Sequence, residues 1–507
     1  MQSRFGPFQA TASTIAALAL LGLAAAPSQA ALSALAIGTD PYTQATCKAS
    51  GTTNHQADVE PDSFSAGSTI VAAYQVGRIY DGGACAIGYS TSTDNGASWT
   101  SGLLPGITKW AGSGPYDRAT DSAVAYDALH NVWLVSSLSL LEKPSVHGNA
   151  VLTSRSSDGG LTWSNPAVTA SGSDLDKNWI VCDNTATSPF YGRCYTEWDD
   201  HGNGNRMQMS YSTDGGITWS AAATNGSGII GGQPVVTPAG VVIVPTANAN
   251  ETAIGSFNST NGGVSWSSTT TIATVRHHTV AGSLREGPLP SAEVDAGGVV
   301  YVAWADCRFR SSCKVNDIVY AKSTNATGTA WSAVTRVPID ATTSGIDHFI
   351  PGLAVNKATS GASAQVGLTY YFYPSRSTNL SVGYISSSNG GSTWGTPQVA
   401  ISGMASTWAA STSQGRMVGD YISTSFGSDN LGHGVFGMAS TPTTGSSTSC
   451  TTSGLDNCRA PIGTFSIGQA AGALSSAGDT VKFSGNGGDK AQNLWNLTDN
   501  NRIQHRD

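Results

Sequence analysis

Ser156-Ser157-Asp158-Gly159-Gly160-Leu161-Thr162-Trp163 is the stretch that decides the fold of this chain. An Asp followed by two glycines makes a tight turn, because glycine takes positive φ and the carboxylate accepts backbone N–H bonds. The Trp then opens the next strand and packs back over the turn. The unit also stands at Ser92-Thr93-Asp94-Asn95-Gly96-Ala97-Ser98-Trp99 and at Ser212-Thr213-Asp214-Gly215-Gly216-Ile217-Thr218-Trp219. Looser copies end at Trp266, Trp331 and Trp394, with Asn261, Asn325 and Asn389 nearby, and Asn can make similar turn bonds. The Trp-to-Trp steps are 64, 56, 47, 65 and 63 residues. Each step suits one four-stranded blade plus loops, so the repeat predicts an all-β propeller.

The strand pattern around each turn supports that reading. In the fifth copy, 288–294, 299–304, 316–322 and 331–337 read as four successive strands, with the turn between the third and fourth. Modules open likewise near Asp58 and at 121–126, 179–182, 233–236 and 349–355. A seventh start, 417–426, has a second strand at 434–439 and no turn unit after it. The count favours seven blades over six, the last closed by a strand from the other terminus, with tail segments such as 480–483 as further contributors. The expected organisation is a signal peptide at 1–30, a lead-in at 31–53, the propeller at 54–440, and a Ser/Thr-rich loop and tail at 441–507, possible closers of the last blade.

Composition narrows the class. Arg4 precedes an apolar run at 15–26, and Pro27-Ser28-Gln29-Ala30 supplies the small residues for cleavage after Ala30. The run is too short for a ~20-residue span, so the expectation is a secreted, extracellular protein without membrane insertion. Charged residues are 11% of the chain and glycines number 60, which suits short strands and tight turns rather than helical bundles. A net charge of -8 gives no reason to expect nucleic acid. Eight cysteines in an exported chain imply disulfides. Local spacing suggests Cys182 with Cys194, Cys307 with Cys313 and Cys450 with Cys458, leaving Cys47 with Cys85. No CxxC pair or zinc-type histidine spacing exists, so neither a metal nor another cofactor is expected.

The repeats resemble the Asp boxes, or BNR repeats, of the sialidase superfamily, over about residues 54 to 440. The resemblance implies a propeller fold and a carbohydrate partner. Similar boxes also occur in propeller-type polysaccharide lyases and in non-enzymatic binding proteins, so activity must be argued from the site. If each blade runs from inner to outer strand, the boxes lie on one face. Residues before the inner strands and in the loops between second and third strands lie on the other.

That second face gathers polar residues: Glu60, Arg78, Asp81, Asp117, Arg118, Asp121, Asp176, Lys177, Gln233, Arg285, Glu286, Asp347, His348, Tyr370, Tyr371, Tyr373, Arg416, Asp420 and Tyr421. In a chain so poor in charge, this density points to a ligand site. A sialidase reading needs a guanidinium clamp on the substrate carboxylate, for which Arg118, Arg285 and Arg416 are the candidates. It needs an acid/base, Asp121 or Asp81, and a tyrosine nucleophile, Tyr371 or Tyr421, activated by Glu286. Arg78 and His348 complete the expected binding set. The first inner strand, 54–61, departs from the family's Arg-Ile-Pro-type signature by carrying no arginine. A lyase reading uses a His or Tyr base, with His55, His277, His278 and His348 available and Arg285 or Arg118 to neutralise a uronate. The order of expectation is a monomeric glycoside hydrolase, then a polysaccharide lyase, then a non-catalytic glycan- or protein-binding propeller.

Overall fold

A computed structural model describes residues 1–2, 32–374, 376–442, 449–450, 456–468 and 474–475. The expected signal peptide and the segment 480–483 lie outside the described residues, as does most of the Ser/Thr-rich loop. None of the described helices is long and apolar enough to cross a membrane.

The fold is all-β, a propeller of Asp-box blades built from antiparallel meanders. Among the described residues the meanders open on Thr53–Ala66, Arg118–Asp127, Leu175–Cys182, Val235–Val236, Ser291–Val294, Asp347–Val355 and Ser423–Phe426. Each opening strand pairs antiparallel with the strand that follows it. Each also packs against the opening strand of the next meander, and that of the last returns to the first, which makes a ring. The fifth meander follows its sequence expectation closely, with Val300–Asp306, Asp317–Lys322 and Thr335–Arg336 as its later strands.

The ring closes through the start of the chain. Ile462–Ile467 pairs on one edge with Gly432–Gly437 and on the other with Leu35–Ala36. Ile37 follows, buried, and donates its amide to the Ile462 carbonyl at 2.9 Å. The expected seventh opening splits in two. Gly415–Met417 forms a separate hairpin with Ala410–Thr412, and the opening strand itself begins at Ser423. Gly419 lies between them at φ +139°, a conformation that interrupts an extended strand.

The turn units work as the sequence suggested. In the third copy, Ser212 Oγ donates to Asp214 Oδ1 and accepts the Gly216 amide at 2.9 Å. Asp214 Oδ1 also accepts the amides of Ile217 and Thr218, and its Oδ2 accepts the Thr218 hydroxyl at 2.5 Å. The same pattern holds Asp94 well below the usual carboxylate range, at about 2, through its bonds to Ser98. Asn261 and Asn389 reproduce it, each taking the amide four residues on and donating Nδ2 to that residue's hydroxyl. The box tryptophans pin the turn: Trp99 and Trp163 donate Nε1 to the Gly96 and Gly160 carbonyls at 3.1 Å.

The four disulfides are those that spacing suggested: Cys47–Cys85, Cys182–Cys194, Cys307–Cys313 and Cys450–Cys458. Cys47–Cys85 ties the lead-in to the first meander.

The opening strands carry a repeated bulge. Register shifts occur between Val59 and Asp62, Thr120 and Ala123, Asp176 and Trp179, and Phe349 and Pro351. Inside them Glu60, Asp121, Lys177 and Ile350 sit at φ +55°, +46°, +48° and +48°. A non-glycine residue there costs roughly 1–2 kcal/mol and re-aims its side chain. Three of the four are charged and point to one another.

Asp214→Asn is expected to melt within a degree or two of the parent, whereas Asp214→Ala loses roughly 1–2 kcal/mol from its missing hydrogen bonds. Thermal unfolding of both variants checks this, and equal losses would refute the hydrogen-bond account.

Candidate functional site

The bulges build a buried ion cluster on the axis. Lys177 Nζ lies 2.8 Å from Asp420 Oδ2, 3.3 Å from Asp121 Oδ1 and 3.5 Å from Glu60 Oε1. Arg285 Nε donates to Asp420 Oδ1 at 2.9 Å. Glu60 also accepts the Asp420 amide at 3.0 Å and the Gln75 side-chain amide, which bonds Thr120 Oγ1 at 2.7 Å. Arg78 extends the set, donating to Gln75 Oε1 at 3.3 Å and to the Gly83 carbonyl at 3.0 Å. All these charged side chains are buried. Tyr421 joins from below, its hydroxyl donating to the Ser122 carbonyl at 3.3 Å and its ring meeting Trp179 edge-on at 5.0 Å.

The three candidate clamp arginines engage separate partners. Arg118 donates to Glu142, Asp81, Ser50 and the Gly82 carbonyl, all at 2.6–3.0 Å. Arg285 belongs to the axial cluster. Arg416 meets Arg285 through backbone alone, its carbonyl accepting the Arg285 amide at 2.6 Å. Its guanidinium turns to the Ala409 and Cys450 carbonyls at 3.1 and 2.6 Å.

A second cluster forms where the loop 275–290 meets the sixth meander. His277 Nε2 lies 2.9 Å from Glu286 Oε1. Burial alone would lower the His277 pKa, but the charge and hydrogen bond of Glu286 outweigh it and the net shift is upward. His278 Nε2 lies 3.7 Å from Asp347 Oδ2, and its side chain is 34% exposed, which opens the cluster to solvent. Burial and the neighbouring His277 lower the His278 pKa. Asp347 is pushed up to about 7, first by burial, while the Asn316 amide opposes and the Glu286 charge adds. Tyr373 pairs with Asp347 across the strands. Its phenol is pushed up by burial, then by the charges of Asp347 and Glu286. Tyr373 Oη, Glu286 Oε2 and His277 Nδ1 are buried with no hydrogen-bond partner among the described residues.

Strand alternation sorts the expected residues. Tyr371 lies deeper than Tyr373 on the same strand and donates its hydroxyl to the Gly437 carbonyl at 2.8 Å. Tyr373, rather than Tyr371, is therefore the phenol that feels Glu286. His348 points opposite to Asp347. It is buried beside the rings of Tyr370 and Phe372, and its pKa falls to about 4 through that burial. His55 is buried against Asp40 in the lead-in, with Nδ1 to Oδ2 at 3.2 Å.

His348 also adjoins Asp317 and Asp340, a grouping compact enough to hold a metal. Both carboxylates already carry guanidinium partners, however. Arg310 reaches Asp317 and Asp340, and Arg336 lies 2.8 Å from Asp317. Two fixed cations make this a poor place for a third. Cys47 and Cys85, which adjoin His55, are joined as a disulfide.

Glu197 and Asp199 escaped the sequence reading. Both are fully buried in Cys194–Asp200, and burial followed by neighbouring acidic charge raises their pKa values well above normal. Their signal was two acids spaced two apart inside a strand, in a chain with few charges.

No protein-family model matches the chain, and no curated protein matches it. Solved structures do. A protein of unknown function from Dyadobacter fermentans is 16% identical, with 68% of this chain and 96% of that one covered and a TM-score of 0.42. A Hadza microbial sialidase is 16% identical at TM-score 0.43, and the match covers 62% of this chain and 63% of the sialidase. A polysaccharide lyase, an ulvan lyase bound to -[GlcA(1-4)Rha3S]-, is 9% identical at TM-score 0.46, with 86% and 95% covered.

Lys177→Met leaves three buried carboxylates without the cation they share and is expected to cost roughly 3–5 kcal/mol. Urea unfolding of the variant measures it, and a loss below about 1 kcal/mol would show that the axial charges are not coupled.

Proposed function

We propose that this chain is an exported, seven-bladed propeller that acts on carbohydrate, with general acid–base chemistry at the cluster of His277, His278, Glu286, Asp347 and Tyr373. One observation carries the reading: His277 lies 2.9 Å from Glu286 and His278 3.7 Å from Asp347 at a partly exposed edge, and burial and charge push the proton affinities of these neighbours apart. His278 is biased to the neutral, proton-accepting form. Tyr373 is biased to keep its proton. Asp347 holds its proton to about pH 7. Such divergence assigns acid and base roles.

β-Elimination from a uronate-bearing polysaccharide uses this division best. His278 takes the proton from the carbon beside the uronate carboxyl, and the freed electron pair forms the ring double bond. The glycosidic C–O bond breaks, and the leaving oxygen takes the Tyr373 proton. Protonated Asp347 supplies a hydrogen bond to the substrate carboxylate. The sialidase reading calls for guanidinium groups converging on one carboxylate, and those of Arg118, Arg285 and Arg416 engage three different sets of protein oxygens. One feature favours a hydrolase: Tyr373 beside Glu286 is a phenol–carboxylate pair of the kind a tyrosine-nucleophile glycosidase uses.

The intact protein is expected to generate unsaturated uronate, absorbing near ~235 nm, from at least one member of a polyuronate panel, with kcat down roughly 100-fold or more in His278→Ala and Tyr373→Phe. Release of reducing sugar without that absorbance would establish the hydrolase, and binding without turnover a lectin-like role.

The pH profile should be a bell. Its acid limb follows His278 deprotonation below the ordinary histidine value of about 6.5. Its alkaline limb follows loss of the Asp347 proton at about 7. Asp347→Asn is expected to abolish the alkaline limb, and an unchanged limb would remove Asp347 from the mechanism.

A further inference from the structure

The axis is hollow on the box face. The opening strands of all the meanders line a cavity of about 220 Å³, whose lip is formed by residues at the box-face turns, among them Phe64, Asn184, Pro238 and Lys357. Its inner end continues into a narrow space that shares Trp179 and Gln233 and is lined by Asp121, Lys177, Asp420 and Tyr421 of the axial cluster and its neighbourhood. The result is a blind well, open on the face opposite His277 and Tyr373 and floored by ion pairs.

The chemistry of the walls selects a ligand. The three lining carboxylates are already met: Asp62 Oδ2 accepts the Val124 amide at 2.7 Å, Glu293 pairs with Lys357 at 2.7 Å, and Asp295 accepts the amides of Gly297, Val299 and Gly361 at 2.8–2.9 Å. Burial holds Asp62 protonated up to about pH 7. Among the described residues the groupings able to hold a metal lie elsewhere, so the well is not a cation cage. An anion would face three carboxylates, and Lys357 at the lip and Lys177 at the floor are already paired. What remains is polar and neutral. Gln233 Oε1 accepts the Ala292 amide at 2.9 Å, which leaves its Nε2 as the donor for a guest. Ser63 and Ser423 present paired hydroxyls at 2.9 Å, and Trp179 presents a half-buried indole. At roughly 10–15 Å³ for each water-sized sphere, the well holds about fifteen of them, comparable to the dozen or so heavy atoms of a pyranose.

We infer that this well is a second ligand site, for an uncharged, polyhydroxylated ring such as a terminal neutral sugar, separate from the acid–base cluster. Hydroxyls meet Gln233, Ser63 and Ser423, and the apolar ring face lies on Trp179.

Titration calorimetry and saturation-transfer NMR on the intact protein test it, with glucose, galactose and N-acetylglucosamine, their uronic acids, and calcium chloride as probes. At least one neutral sugar is expected to bind saturably in the millimolar range, with its uronic acid weaker by about tenfold. Gln233→Glu keeps the acceptor for Ala292 and removes the donor, so it should weaken that binding about fivefold or more at unchanged melting temperature and unchanged turnover of glycan. Trp179→Phe, which retains an aromatic ring against Tyr421, should weaken it as well. The inference is overturned if no neutral sugar saturates the protein up to about 100 mM, if calcium or a uronic acid displaces the bound neutral sugar at a lower concentration than the sugar itself needs, or if His278→Ala abolishes binding while Gln233→Glu does not.

Discussion

Lys177 governs the centre of this molecule. Three carboxylates, two from opening strands and Asp420 from the segment before the last one, converge on its ammonium, and all four groups are out of water. Charges buried this way are tolerable only when each has its counter-ion and hydrogen bonds in place. That condition sets the backbone. Glu60, Asp121 and Lys177 each accept a left-handed conformation inside a bulge, because only there do their side chains reach the axis. Arg285 adds a second cation through Asp420, and with it fixes the loop that carries Glu286 and leads back to His277 and His278. The strain at the bulges and the placement of the His277–Glu286 cluster thus share one origin.

The same cluster divides the molecule into two chemical worlds. On one side, the loop 275–290 and the ends of two strands bring histidines, a phenol and acids together at a partly exposed edge. On the other, the strands diverge toward the box turns and leave a well lined by amide, hydroxyl and indole groups. The ion pairs stand between them like a bulkhead. Arg285, bound to Asp420, is part of that partition.

Much of the fold was legible in the chain, for a physical reason. The box is a local structure: Ser, Asp, Gly and Trp satisfy one another within eight residues, so their spacing survives translation into three dimensions. The disulfides span short loops or tie neighbouring segments, and were legible on the same ground. The closing of the ring by an N-terminal strand followed from a module that lacked its outer partner. The site was less legible because its geometry depends on bulges. A shift of one residue turns a side chain to the other face. Tyr371 and Tyr373 look equivalent in sequence, and only depth along the strand separates the one bonded to Gly437 from the one beside Glu286. Arginines that share a face in a sequence map can each be claimed by a different neighbour, as Arg118 and Arg416 are. Glu197 and Asp199 were hidden by lying in the middle of a strand, where loop-centred reasoning does not look.

Closure by Leu35–Ala36 has a consequence in time. The strand that completes the last sheet is among the first parts of the described chain to be made, and its partner, Ile462–Ile467, is among the last. The earlier meanders can pair strands that are close in sequence as they emerge, but the last described sheet waits for Ile462–Ile467. The Cys47–Cys85 link holds the waiting segment beside the first meander. Contacts so distant in sequence are slow to form, because a long loop must close before they contribute. The molecule is therefore assembled locally and locked globally, with the final latch set by residues that had to wait for it.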